Sequence, residues 1–124
     1  MAAPNLVNVA TITCKTAFLS LANTNATVLV TNASASGKVI RVVSVIAVND
    51  DGVNAVDVTL SYNDAAAGAG TAYKLAHLIT VPPKTAVVLI DKSIDVYLEE
   101  NTSLVVTASA GSDLDVIASY EELS

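Results

Sequence analysis

Asn54-Ala-Val-Asp-Val-Thr-Leu-Ser-Tyr-Asn63 is the stretch that decides the fold. Val56, Val58, Leu60 and Tyr62 take alternate positions, and Asp57, Thr59, Ser61 and Asn63 fall between them. A period of two sends the first set to one face of an extended strand and the second to the other. One face is then buried and one solvated. The same reading applies to Thr71 to Val81, where Tyr73, Leu75, His77, Ile79 and Val81 are predicted to share a face. It applies again to Leu104, Val106 and Ala108, with Val105 as the exception, and to Leu114, Val116, Ala118 and Tyr120, with Ile117 out of pattern. No stretch carries a sustained helical period.

Val39 to Val48 differs, because Val39, Val43, Val45 and Ala47 alternate with Ile40, Val42, Ile46 and Val48. A strand apolar on both faces is either central and covered on both sides, or lies beneath another subunit. Turn residues punctuate these runs. Asn32 to Gly37 reads as a small polar loop, Asn49-Asp-Asp-Gly52 as a hairpin connection, and Asp64 to Gly70 as a flexible Ala/Gly loop. Pro82-Pro83 forces a break before Thr85 to Asp91, and Ala110 to Asp113 makes the last turn. About nine or ten short antiparallel strands without helices predict an all-β chain, a single-domain, jelly-roll-like β-sandwich. The domain is expected over 8–124. Residues 1–7 are expected to form an N-terminal arm.

The 124 residues suit one domain, which would bury about two-thirds of the unfolded chain's surface. With 52% hydrophobic residues, 4% aromatics and no Trp, packing must rest on small and β-branched side chains. The net charge of −6 and the scattering of Lys15, Lys38, Arg41, Lys74, Lys84 and Lys92 argue against nucleic-acid binding. No apolar run is long enough to cross a bilayer as a helix, so no membrane contact is expected. The start has no basic segment followed by an apolar one, and Cys14 is the only cysteine. Both point to folding in a reducing cytoplasm.

Candidate chemistry is sparse. His77 is the only histidine and falls on the apolar face with Leu75 and Ile79, where a packed or interface role is expected rather than catalysis. Cys14 reads as a small buried hydrophobe. Asn49, Asp51 and Gly52 match three positions of a calcium loop, but Ala47 and Val58 would hold its first and last positions. A weak cation site from Asp50, Asp51 and Asp57 competes with a plain polar turn. The neighbours Glu99-Glu100 and Glu121-Glu122 point to opposite faces of a strand, so neither pair converges on a substrate. Gly68 and Gly70 lack the strand-to-helix setting of a phosphate loop. Asn25-Ala-Thr27 and Asn32-Ala-Ser34 are glycosylation sequons that matter only on a secretory route. No enzyme, cofactor or metal is expected.

One resemblance spans nearly the whole chain. It is carried by Met1-Ala-Ala-Pro-Asn5 with Val9-Ala-Thr-Ile12, by Ser36-Gly-Lys-Val39, and by Val48-Asn-Asp-Asp-Gly-Val-Asn-Ala55. Ala76-His-Leu-Ile-Thr-Val-Pro82, Tyr97-Leu-Glu-Glu100 and Ser119-Tyr-Glu-Glu-Leu-Ser124 continue it. In these the chain resembles small virion proteins of tailed phages, especially marine and cyanobacterial ones. The resemblance implies a structural role in the virion, either as a capsid decoration or cement protein or at a tail, collar or head appendage. The partner would be the major capsid protein or another virion protein, on the outer surface. Spare apolar residues suit a homo-oligomer such as a trimer, or docking onto a shell. Ala2, Ala3, Pro4, Leu6 and Val7 are the expected partner-binding residues. A carbohydrate-binding or adaptor module is the competing expectation, with Tyr62, Tyr73, Tyr97 and Tyr120 as its only stacking groups.

Overall fold

The computed structural model describes residues 9–91, 93–94 and 96–124. The expected arm, with Ala2, Ala3, Pro4, Leu6 and Val7, lies outside the described residues. Nine strands are found among them: β1 (Ile12–Leu21), β2 (Thr27–Asn32), β3 (Val39–Asn49), β4 (Val56–Asn63), β5 (Ala72–Val81), β6 (Ala86–Ile90), β7 (Val96–Leu98), β8 (Thr102–Ala108) and β9 (Leu114–Leu123). One turn of 3-10 helix, Ala66–Gly68, follows β4. The strands form a single-domain β-sandwich of two antiparallel sheets. One has the order β1-β9-β3-β6, with β7 also on β3, and the other β2-β8-β4-β5. The pairing is nested: β4 with β5, β3 with β6 and β7, β2 with β8, and β1 with β9.

The core follows the period of two. Val56, Val58 and Leu60 of β4 are fully buried, as are Leu104 and Val106 of β8 and Val116 and Ala118 of β9. Removing each large aliphatic side chain from water contributes about 1.5–3 kcal/mol. With almost no aromatic residues in this core, many small contributions hold the sheets together.

Three expectations are corrected. First, β3 is a central strand between β9 and β6/β7, but it is not buried on both faces. Ile40, Val42, Val45 and Ala47 face the core, while Val39, Val43, Ile46 and Val48 are half-buried on the outer face. A register shift between Val42 and Ser44 moves the inward side chains from even to odd numbers. That shift is why neither parity looked polar.

Second, β5 is a largely exposed edge strand, and its register against β4 shifts twice. Val58 pairs Ile79 and Leu60 pairs Ala76, which leaves Thr59 opposite both His77 and Leu78. Leu78 takes φ 51 there, and its N–H donates to Thr59 Oγ1 at 3.1 Å. This bulge breaks the alternation, so only Ala76 and Val81 of this strand reach the core, while Tyr73, Leu75, His77 and Ile79 are exposed.

Third, Asp64 to Gly70 is a clasp rather than a flexible loop. The Ala66, Ala67 and Gly68 N–H groups donate to Asn101 Oδ1, Thr31 Oγ1 and Ser103 Oγ at 2.9–3.1 Å. Ser103 Oγ in turn donates to Ala65 O at 2.8 Å. Gly68 sits at φ 76 so close to the sheet that an added Cβ would stand 3.1 Å from Val28 Cγ2 and 3.4 Å from Val105 Cγ2. The clasp therefore covers part of the outer face of the β2-β8-β4-β5 sheet.

Candidate interaction surface

No described residue covers the outer face of the other sheet, and the register places an apolar row across it. Phe18 of β1 pairs Ile117 of β9, Ile117 pairs Ile46 of β3, and Ile46 pairs Val88 of β6. Residues directly opposite in antiparallel strands share a face and touch, so these four side chains form one band over four strands. Phe18 is 77% exposed, Val88 57% and Ile117 42%. Val48 and Ala86 extend the band on one side, in a row with Ser20 and Asp115. Thr16, Ser119 and Ser44 bound it on the other. A shallow depression of about 350 Å³ lies against Phe18, Ile117 and Asp115. Exposed apolar surface of this continuity marks a contact site.

Charges rim the band. At one end Asp50 is pushed above the ordinary carboxylate range, first by its hydrogen bond with the Asp115 carboxyl, then by the charge of Asp115 and by burial. At the other, Arg41 pairs with Glu121 at 3.2 Å. On the opposite side of the sheet, Glu122 takes both Lys15 and Lys38 at 3.2 Å. Burial pushes the Glu122 carboxyl up, but the hydrogen bonds and charges of the two lysines outweigh it and hold it below its ordinary value. A depressed carboxylate contributes stability above its unfolded value, and that contribution is lost as the pH falls through the lower folded value. Glu122→Gln should therefore cost about 1 kcal/mol at neutral pH. The difference from the parent should vanish in acid, as thermal melts between neutral pH and pH 3 would show.

The residues singled out in the sequence do not converge. Cys14 is exposed on β1, not buried, because it shares the outer face of its sheet with Thr16 and Phe18, while Ala17, Leu19 and Leu21 point inward. His77 is exposed at the β5 bulge rather than packed with Leu75 and Ile79. Asp51 caps its own turn, accepting from the Val53 and Asn54 N–H groups at 2.8 and 3.2 Å, which holds its carboxyl below the ordinary range. Asp57 accepts from Thr80 Oγ1 at 2.9 Å. With Asp50 engaged by Asp115, the three aspartates serve three separate contacts, and no metal-binding cluster is found among the described residues. Glu121 and Glu122 hold ion pairs, and Glu100 accepts from the Gly37 N–H at 3.1 Å. The sequence predicts docking through spare apolar residues but marks none of the band as a site, although Ile117, the exception in its strand, lies in it.

No protein-family model matches the chain, and no curated protein matches it. Solved structures do. A chain of the acidic stable capsid of Helicobacter pylori bacteriophage KHP30 is similar at 14% identity with a TM-score of 0.56, over 94% of this chain and 90% of that one. A chain of the disulfide-linked pili that form Bacillus endospore appendages is similar at 14% identity and a TM-score of 0.53, over 92% and 88%. A chain of the T13 IBDV viral particle reaches a TM-score of 0.53 at 8% identity, over 93% of this chain and 31% of that one. The likeness is one of fold.

Proposed function

We propose that the chain is a non-enzymatic structural subunit of a virion, and more closely a capsid decoration or cement protein that binds and stabilises the assembled phage head. The open apolar band on a sandwich of capsid-like fold is the observation that carries this reading. The nested strand pairing supports it, since this is how a jelly roll is wound. The partner is the major capsid protein or another virion protein. An outer-surface contact suits the net charge of −6, which disfavours packaged DNA as a partner, and folding in the host cytoplasm would precede assembly. Copies would meet as a homo-oligomer, with a trimer as one closed form.

Mass spectrometry and cryo-EM of the parent particle test the reading: the chain should occupy many equivalent outer sites, and stripped particles should lose their DNA at lower temperature. Absence from purified heads overturns it. Ile117→Lys with Val88→Lys should leave the circular dichroism spectrum unchanged and abolish binding to stripped heads. Deleting residues 2–7 should weaken that binding as well, if the arm reaches a neighbour. Cys14→Ser and His77→Ala should bind as the parent does.

A second reading, a carbohydrate-binding or adaptor module of a tail, collar or head appendage, has Tyr73 and Tyr97 in its favour. Both are exposed and could stack on sugars. Binding on a glycan array that Tyr73→Ala removes would favour it.

A further inference from the structure

The strand β1 is an edge with every requirement for pairing and almost none of the usual protection. Its ladder to β9 runs through ten consecutive residue pairs without a shift. Thr11 and Ser124, just beyond it, exchange both backbone hydrogen bonds, at 2.8 and 2.9 Å. In an antiparallel ladder such pairs alternate with pairs that make no mutual bond. The odd-numbered residues of β1 thus bond β9, and Ile12, Cys14, Thr16, Phe18 and Ser20 direct their N–H and C=O groups away from the sheet. Among the described residues no strand lies beyond them.

Natural sheets blunt such edges with proline, inward charges, bulges or brevity. The other edges here show those devices. The strand β2 has six residues and a shift between Val28 and Val30. The β5 edge is bulged twice, and the β6/β7 edge is split into pieces of five and three residues. By contrast β1 has ten residues, no proline and one charge, Lys15.

We propose that β1 pairs antiparallel with β1 of a second copy of this chain about a two-fold axis, extending the β1-β9-β3-β6 sheet across the contact. The occupant is a second copy because a two-fold contact lets one straight, unbulged edge satisfy another of the same length. Charge sets the register. An axis at Lys15 would oppose two lysines, whereas the middle of the strand lies at Thr16 and Ala17. With the axis at Thr16, Lys15 faces Ala17 of the second copy and Phe18 faces its Cys14. With the axis at Ala17, Lys15 faces Leu19 and Phe18 faces Thr16 of the second copy. With the axis at Ala17 the two Phe18 side chains are diagonal neighbours and the two bands join, whereas with the axis at Thr16 the bands are offset along the strand with the two Thr16 between them.

The inference rests on the homo-oligomer of the reading above and gives it a two-fold contact in place of a trimer. It fails on mass and exchange in solution, whereas the virion reading fails on absence from particles. The full chain at about 100 µM should sediment as an even-numbered species, a dimer or a higher multiple. Thr16→Lys sets like charges at or beside the axis and should weaken the contact at least about tenfold, with an unchanged circular dichroism spectrum. Thr16→Pro removes an outward N–H without touching the ladder to β9 and should do the same. Leu75→Lys on the β5 edge should leave the mass as it is. Amide exchange of Cys14, Thr16 and Phe18 should be slow in the parent and fast in Thr16→Lys. A parent that is monomeric at this concentration overturns the proposal, and so does an oligomer that survives both Thr16 variants. Slow exchange of these amides in a monomer also overturns it, by assigning the edge to another part of the same chain.

Discussion

Val45→Asp should cost about 4 kcal/mol or more, enough to lower the melting temperature by roughly 15 °C or to prevent folding. Val45 is fully buried between Ala118 of β9 and Ile90 of β6. Among the described residues the surroundings of Val45 in this core are hydrophobic, so the carboxylate would enter the space between the sheets unpaired. The comparison that gives this result its meaning is Ile46→Asp, one residue along the same strand. Ile46 lies on the half-open outer face beside Ile117 and Val88, where water reaches the carboxylate. That substitution should cost about 1–2 kcal/mol. Chemical denaturation of the two variants measures the contrast directly. Equal losses would mean that the outer face is as closed as the inner one, and the apolar band would no longer be an open surface.

The same strand shows how far the sequence could be read. Alternation in Val56 to Tyr62 was enough to fix an all-β sandwich with one wet face per sheet, and the nine strands follow from it. What alternation cannot carry is a change of parity inside a strand. Val39 to Val48 looked apolar on both faces because the shift near Val43 merges two half-patterns. Thr71 to Val81 looked like a clean core strand because the bulge at His77 and Leu78 leaves no mark in residue type. The two exceptions to alternation were the informative residues. Val105 is apolar on an outer face because the Ala66–Gly68 turn covers it, and Ile117 is apolar on an outer face that nothing described covers. One sequence symbol thus stands for two opposite situations, and only the path of a distant loop tells them apart. Cys14 and His77 were misplaced for the same reason, since edge position depends on strand order and not on local pattern.

Asn49→Leu should cost about 3 kcal/mol or more, although the sequence marks Asn49 only as a turn residue and an incomplete calcium-loop match. Asn49 ends β3 and is only 1% exposed. Its Nδ2 donates to Asn54 O at 2.9 Å and to Val81 O at 3.0 Å, and its Oδ1 accepts from the Asp51 N–H at 2.9 Å. One side chain thereby ties the β3–β4 connection to the end of β5 in the other sheet. Leucine fills the volume but leaves two carbonyls and an N–H without their partner, and each such buried loss costs about 1–3 kcal/mol. Asn32, at the end of β2 and 2% exposed, is built alike, with Nδ2 donating to Lys38 O and Leu98 O at 2.9 Å. Asn32→Leu should therefore match Asn49→Leu. Asn63 ends β4 and donates to Gly68 O and Ala69 O at 3.0 and 3.3 Å, but its buried Oδ1 has no partner among the described residues. Asn63→Leu removes an unsatisfied acceptor along with the two bonds, and its loss should be the smallest of the three. Asn49→Asp supplies a further check. Its carboxylate keeps the bond from Asp51 but faces the Asn54 and Val81 carbonyls, so its folded value is raised. Its deficit should therefore shrink as the pH falls and a proton restores one donor. Denaturant melts of the four variants at pH 7, and of Asn49→Asp also at pH 4, measure this order. An Asn63→Leu loss equal to that of Asn49→Leu would mean that strand-end burial, and not the satisfied amide, fixes these connections.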